Sequence, residues 1–193
     1  YKVKLGGIQD YIQRIIDAKH IYITACGTSW HAALIGSFLL EEVIKKPVKV
    51  EYASELRYKT SAINEKTVLF SLSQSGETAD TLAAIKKAKE LGAFTVGIVN
   101  AVGSSIARET DCGVYIHAGP EIGVASTKAF TSQVSVLSLL AILLAQRLGK
   151  DTQHIHNLID EMIKLPELVE EILEGSEHIK NISKDFLNSE HFL

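Results

Sequence analysis

The chain has 193 residues, 46% of them hydrophobic and 22% charged, with only 13 Gly and 3 Pro, a composition that excludes collagen-like, mucin-like and disordered readings and fits about one domain able to bury a sizeable core. With 20 Lys and Arg against 23 Asp and Glu the net charge is −3, and no basic run exceeds Lys45-Lys46 or Lys86-Lys87, so nucleic acid is not an expected ligand. Cys26 and Cys112 are too few for a disulfide framework and too far apart for CxxC chemistry, which suits a reducing compartment and hence the cytoplasm.

The N-terminus carries no signal-peptide pattern, and its opening on Tyr1 instead of Met suggests a piece of something longer. Thereafter helical periodicity alternates with short apolar runs, as βαβ units of a parallel sheet require. Five strands are predicted: His20 to Cys26, Val48 to Tyr52, Thr67 to Ser71, Phe94 to Val99 and Gly113 to His117, each rich in Val, Ile, Phe or Tyr. Helices are expected over Ser29 to Lys45, Ala79 to Leu91 and Ser104 to Glu109, while the crossover from Ala53 to Lys66 is the least regular. A long apolar helix should fill Thr127 to Leu148, and its breadth of apolar faces points to burial against a partner domain or subunit. Its most apolar stretch, Val134 to Ala145, is shorter than the roughly 20 residues of a membrane span, so no membrane partner is expected. From Asp151 onward two further helices are expected, broken by Pro166 and Gly175, with the charges of Asp160 to Glu177 forming a solvated face. The expected fold class is therefore α/β, a three-layer, doubly wound, five-stranded parallel sheet over residues 1–150 with a C-terminal helical extension over 151–193.

Two strand-to-helix turns are unusual in the same way: Cys26-Gly27-Thr28-Ser29 after the first strand, and Ser73-Gln74-Ser75-Gly76-Glu77-Thr78 after the third. Each sets Gly and small hydroxyls at a helix start, where hydroxyls and backbone N–H groups converge on the positive end of the helix dipole and suit an anion. In the doubly wound order 2-1-3-4-5, these two turns would border the crevice at the topological switch point. Neither GxxxxGK[ST] nor GxGxxG occurs, which disfavours nucleotides. A single phosphate on a small polar body, as in a phosphosugar, fits about four to six short neutral donors, each charge-assisted bond contributing roughly 1.5 to 3 kcal/mol. Glu77 opposes this: a carboxylate about 4 Å from a phosphate costs about 1 kcal/mol even in water, so its side chain must point away, with Asp80, toward the helix dipole. On these residues alone an ordinary capped loop stays open as the alternative.

The segment Ala118 to Lys128 follows the fifth strand on the same rim, and its backbone near Val124 could meet a sugar. Glu121 and Lys128 have the chemistry of acid, base or Schiff-base residues, although a solvated or structurally paired role is the commoner outcome for each. Cys26 reads as a small buried hydrophobe before a reactive thiolate, and His31 as a packed or capped histidine. His154 and His156, two apart on a helix, face different sides, so no metal is expected.

The motifs CGTSWHA (Cys26 to Ala32), LSQSGETADTL (Leu72 to Leu82), NAVGSSIARETD (Asn100 to Asp111) and AGPEIGVASTKAFTSQ (Ala118 to Gln133) together resemble the isomerase domain of the glutamine–fructose-6-phosphate aminotransferases, within the broad sugar-isomerase (SIS) superfamily. The resemblance covers most of the chain. It implies that Ser73, Gln74, Ser75 and Thr78 hold a sugar phosphate, that Thr28 and Ser29 complete the cradle, and that Val124 and Ser126 touch the sugar. It implies no cofactor and no metal, a homodimer, and the conversion of fructose 6-phosphate and glutamine to glucosamine 6-phosphate. Trp30 stands where the family often has Tyr. Neither the glutaminase domain nor the second SIS half, with its glutamate base and Schiff-base lysine, has a counterpart here, so catalytic residues are expected to be absent and the chain to bind without catalysing. A sugar-phosphate-sensing regulatory module and a stand-alone phosphosugar isomerase or deglycase are the alternatives.

Overall fold

A computed structural model describes residues 2–59, 62–150 and 152–191, so Asp151, the first residue of the expected extension, lies outside the described residues. The chain divides into two compact units, one spanning Lys2–Asp151 and the other beginning at Thr152.

In the first unit a short 3-10 turn and helix α1 (Ile12–Asp17) lead into β1 (His20–Ala25). Then follow α2 (Thr28–Ile44), β2 (Val48–Tyr52), the single turn α3 (Ala53–Leu56), β3 (Thr67–Ser73), α4 (Ala79–Glu90), β4 (Phe94–Val99), α5 (Ser105–Glu109), β5 (Cys112–Tyr115) and α6 (Lys128–Arg147). The strands form one all-parallel sheet in the order β2-β1-β3-β4-β5, the doubly wound order expected from the sequence. Helices α1, α2 and α6 pack together on one face and α3, α4 and α5 on the other. Every residue of β3 and β4 is buried, small hydroxyl residues such as Ser71 and Thr95 included, which is why neither run alternates between apolar and charged residues. The face under α3 and α4 is filled by Leu56, Ile63, Leu69 and the small residues Ala84 and Ala88, so the helices sit close to the sheet.

Several boundaries differ from expectation for tertiary reasons. β3 continues to Ser73, because Leu72 and Ser73 pair with Ile98 and Val99 of β4, and Asn100 N–H then donates to the Ser73 carbonyl at 3.2 Å. The expected strand at Gly113 to His117 runs instead from Cys112 to Tyr115, and His117 takes a positive φ of 52° that ends it. Helix α1 was not anticipated; its signal is the spacing of Ile8, Ile12 and Ile15, all at most 1% exposed.

Helix α6 is long and apolar enough to cross a bilayer by length and composition, at a mean hydropathy of 1.7, yet 61% of its most apolar window is buried, as in a core helix. It lies along α2, where Gly36 leaves room for Leu137: a methyl group at Gly36 would stand 2.5 Å from Leu137 Cδ1.

The second unit consists of α7 (Gln153–Glu174), α8 (Ser176–Ser183) and a terminal 3-10 turn. The expected break at Pro166 is absent, since α7 runs through it, whereas Gly175 does separate the two helices. An interior proline removes one backbone bond and costs about 3 kcal/mol; the strong helix formers on both sides, from Glu161 to Leu165 and Glu167 to Leu173, carry the helix across.

Candidate functional site

β1 and β3 are neighbours whose following connections leave on opposite faces of the sheet, so a crevice opens beyond their C-terminal ends. Into it project the β1–α2 turn, the β3–α4 turn and the loop between β5 and α6. Together they enclose a cleft of about 220 Å³. Thr28, Ser29, Ser73, Gln74, Ser75, Thr78, Val124 and Ser126 all line it, so three segments separated in sequence bring the anticipated residues to one place. Cys26, Gly27, Leu72, Glu121 and Gly123 complete the wall, and no Lys or Arg is among the lining residues.

The β3–α4 turn is held from within and from behind. Ser73 Oγ accepts the Gly76 N–H at 2.9 Å and lies 3.3 Å from Thr78 Oγ1, and Ser75 Oγ accepts the Glu77 N–H at 3.2 Å. Behind it the segment running from β4 into α5 supplies two backbone bonds, Ala101 N–H to the Gln74 carbonyl at 3.3 Å and Ile106 N–H to the Gly76 carbonyl at 2.9 Å. Gly76 adopts φ +66°, and a Cβ there would overlap the Ser104 side chain, so any other residue strains the backbone and must displace Ser104. The hydroxyls are thereby fixed before a ligand arrives, which lowers the ordering cost of binding.

Glu77 points out of the cleft, as expected, but not toward its own helix. It precedes α4, and its Oε1 accepts the Ser105 N–H at 2.7 Å at the start of α5. Bonds from Ser105 and the nearby Arg108 charge hold its carboxyl below the usual range. Asp80 in the first turn of α4 is paired with Arg57 at 2.6 Å. Gly27 and Thr78, which precede α2 and α4, make no side-chain cap bond, so the N–H groups at the two helix starts receive no side-chain acceptor there. Ser29, 7% exposed, receives a 2.9 Å hydrogen bond on Oγ from Gln133 Nε2 of α6.

The third wall depends on Glu121. Its carboxylate accepts from Ser126 Oγ at 2.8 Å, the Thr127 N–H at 2.9 Å and the Ala129 N–H at 3.4 Å. The Thr127 backbone bond first, then the Ser126 hydroxyl, hold its carboxyl below the usual range. Asn100 clamps the start of the same loop, donating Nδ2–H to the Gly119 carbonyl at 2.7 Å and accepting the Ala118 N–H on Oδ1 at 2.9 Å. Val124, at 105% relative exposure, stands free at the rim, an apolar surface next to polar donors. Reading the sequence missed Asn100, Gln133 and the Ser105 partner of Glu77. An Asn directly after an apolar strand was the one available signal, since the partners of all three are distant in sequence.

Of the other candidate residues, His31 and Lys128 fall outside the cleft. His31 is exposed with its ring edge-on to Trp30, and Lys128, exposed, is the first residue of α6. Cys26 lines the cleft with Sγ 3.9 Å from Thr81 Oγ1. Among the described residues no group of three His, Cys, Asp or Glu side chains could hold a metal ion. Chemically the cleft is a set of neutral donors at two helix starts with one committed carboxylate, suited to capturing an anion.

The SIS domain family matches residues 14–143. The chain is 53% identical over 182 residues to the glutamine–fructose-6-phosphate aminotransferase (isomerizing) of Chlorobaculum tepidum, covering 94% of this chain and 30% of that protein. It is 50% identical over 193 residues to the enzyme of the same name from Bacteroides thetaiotaomicron, covering 99% of this chain and 31% of that protein. Among solved structures, the C-terminal domain of glucosamine-fructose-6-phosphate aminotransferase from Francisella tularensis superposes with a TM-score of 0.84 at 38% identity, covering 94% of this chain and 52% of that one. The chain thus spans about a third of the length of these relatives and about half of the solved C-terminal domain. The chain belongs to the SIS domain family, and its counterpart among the glutamine–fructose-6-phosphate aminotransferases is one SIS half of their C-terminal domain.

Proposed function

We propose that this chain is the sugar-phosphate-binding SIS half of an enzyme that converts fructose 6-phosphate and glutamine to glucosamine 6-phosphate and glutamate, and that the 193 residues alone bind the sugar phosphate without turning it over. The observation that carries this reading is the meeting of the Thr28-Ser29 and Ser73-to-Thr78 turns in one cleft with no cationic side chain. Small-molecule sites commonly enclose about 300 to 1,000 Å³; a cleft of about 220 Å³ suits one phosphate and part of a sugar, not a dinucleotide. In this reading Ser73, Gln74, Ser75 and Thr78 hold the phosphate with the α4 N–H groups, Thr28 and Ser29 close the cradle, and Val124 and Ser126 meet the sugar.

Support for a binding role without catalysis comes from the same wall. Glu121 is the one carboxylate lining the cleft, and it is occupied by the start of α6, so it is poorly placed to accept a proton from a substrate carbon. That commitment weighs against a self-sufficient phosphosugar isomerase. We further propose a homodimer, and a location in the cytoplasm, which the two free thiols, Cys26 and Cys112, favour. The proposal involves no metal, cofactor, nucleic acid or membrane. Calorimetric titration tests it: fructose 6-phosphate should bind and fructose should not, and an isomerisation assay on the same sample should read background. Equal binding of fructose, or measurable turnover, contradicts the reading.

A further inference from the structure

We infer that Gln133, which lies behind the cleft and not on it, is a positioning residue that aims the Ser29 hydroxyl at the phosphate; this rests on the sugar-phosphate reading above. Gln133 is 1% exposed, and its Nε2 donates to Ser29 Oγ at 2.9 Å. The contact exists because α2 and α6 are held close by Gly36 against Leu137, two turns beyond Ser29 on one helix and one turn beyond Gln133 on the other.

A serine hydroxyl has one proton to give and two lone pairs to receive, and a freely rotating hydroxyl presents either to its surroundings. Gln133 Nε2 is its one hydrogen-bond partner among the described residues, and it occupies a lone pair. The proton is what remains for a ligand, and Ser29 lines the cleft. An anion needs donors, so Gln133 removes the orientation in which a lone pair would face the phosphate.

As placed, Gln133 gives one amide hydrogen to Ser29 Oγ and keeps Oε1 buried without a partner. In this orientation polarity runs from the buried amide through Ser29 to the cleft.

Fructose 6-phosphate titrations of the wild type, Gln133→Met, Ser29→Ala and the double variant, each with a melting temperature, test this. Methionine keeps the side-chain volume but donates nothing. Gln133→Met should weaken binding roughly 3- to 10-fold while adding nothing in the Ser29→Ala background. Gln133→Glu, whose carboxylate when ionised can only accept the Ser29 proton, should weaken it further. A purely structural role would lower the melting temperature and weaken binding equally in both backgrounds, and that result overturns the inference. Wild-type affinity in both Gln133 variants also overturns it. If Ser29→Ala and Ser75→Ala both bind as the wild type does, the sugar-phosphate reading itself fails; if those two weaken binding and Gln133→Met does not, only the inference falls.

Discussion

Ser126 donates its hydroxyl proton to Glu121 at 2.8 Å, and the same hydroxyl oxygen accepts the Phe130 N–H at 3.1 Å, so a loop residue facing the cleft is tied at once to the loop's carboxylate and to the first turn of α6. With Thr127 and Ala129 also donating to Glu121, one side chain organises the third wall of the site. Acid should loosen it. The folded carboxyl sits below its ordinary value of 4.5, so the unfolded chain binds more protons near that pH. The stabilisation is complete above about 4.5 and disappears as pH falls through the lower folded value. Melting temperatures followed from pH 6 to 3 should therefore drop more steeply for the wild type than for Glu121→Gln, and parallel curves would contradict this role.

Gly76→Ala should destabilise the fold by about 1 to 3 kcal/mol, because the backbone must hold φ +66° with a Cβ and the Ser104 side chain must shift. Chemical denaturation measures it. Adding Ser104→Gly should recover the overlap part of the loss and leave the backbone part. An unchanged midpoint for Gly76→Ala would show that the turn is looser than described.

Strands whose residues are buried on both faces, such as Phe94 to Val99, were legible because burial writes itself as an apolar run. The two hydroxyl-rich turns were legible because glycine and short donors recur where β1 and β3 end, although an ordinary helix cap uses the same residues. What sequence hid were features set by a distant partner. Pairing with β4 extends β3 to Ser73, and the start of α5 captures Glu77, although local spacing assigns that residue to its own helix. Pro166 was misleading in the other direction, because one lost backbone bond is outweighed by the flanking helix formers.

Cys112 should be inert near neutral pH. Burial first, and the neighbouring Asp111 charge second, push its thiol up to about 12. Thiolate is the reactive form, so native protein treated with iodoacetamide at pH 8 should remain unmodified at Cys112 and become modified once urea unfolds it. The sign for stability follows: above about pH 9 the unfolded thiol ionises while the folded one does not, so this residue costs stability as pH rises further. Rapid native alkylation at Cys112, read by peptide mass, would contradict a raised thiol at this half-buried position.

Ser75→Ala probes the phosphate cradle itself. Its side chain is exposed at the cleft and accepts only the Glu77 N–H, so removal should leave the melting temperature nearly unchanged. Calorimetric titration with fructose 6-phosphate should show affinity reduced by roughly 1.5 to 3 kcal/mol, the contribution of one charge-assisted donor. Wild-type affinity in a folded Ser75→Ala protein would place the anion elsewhere and contradict the account.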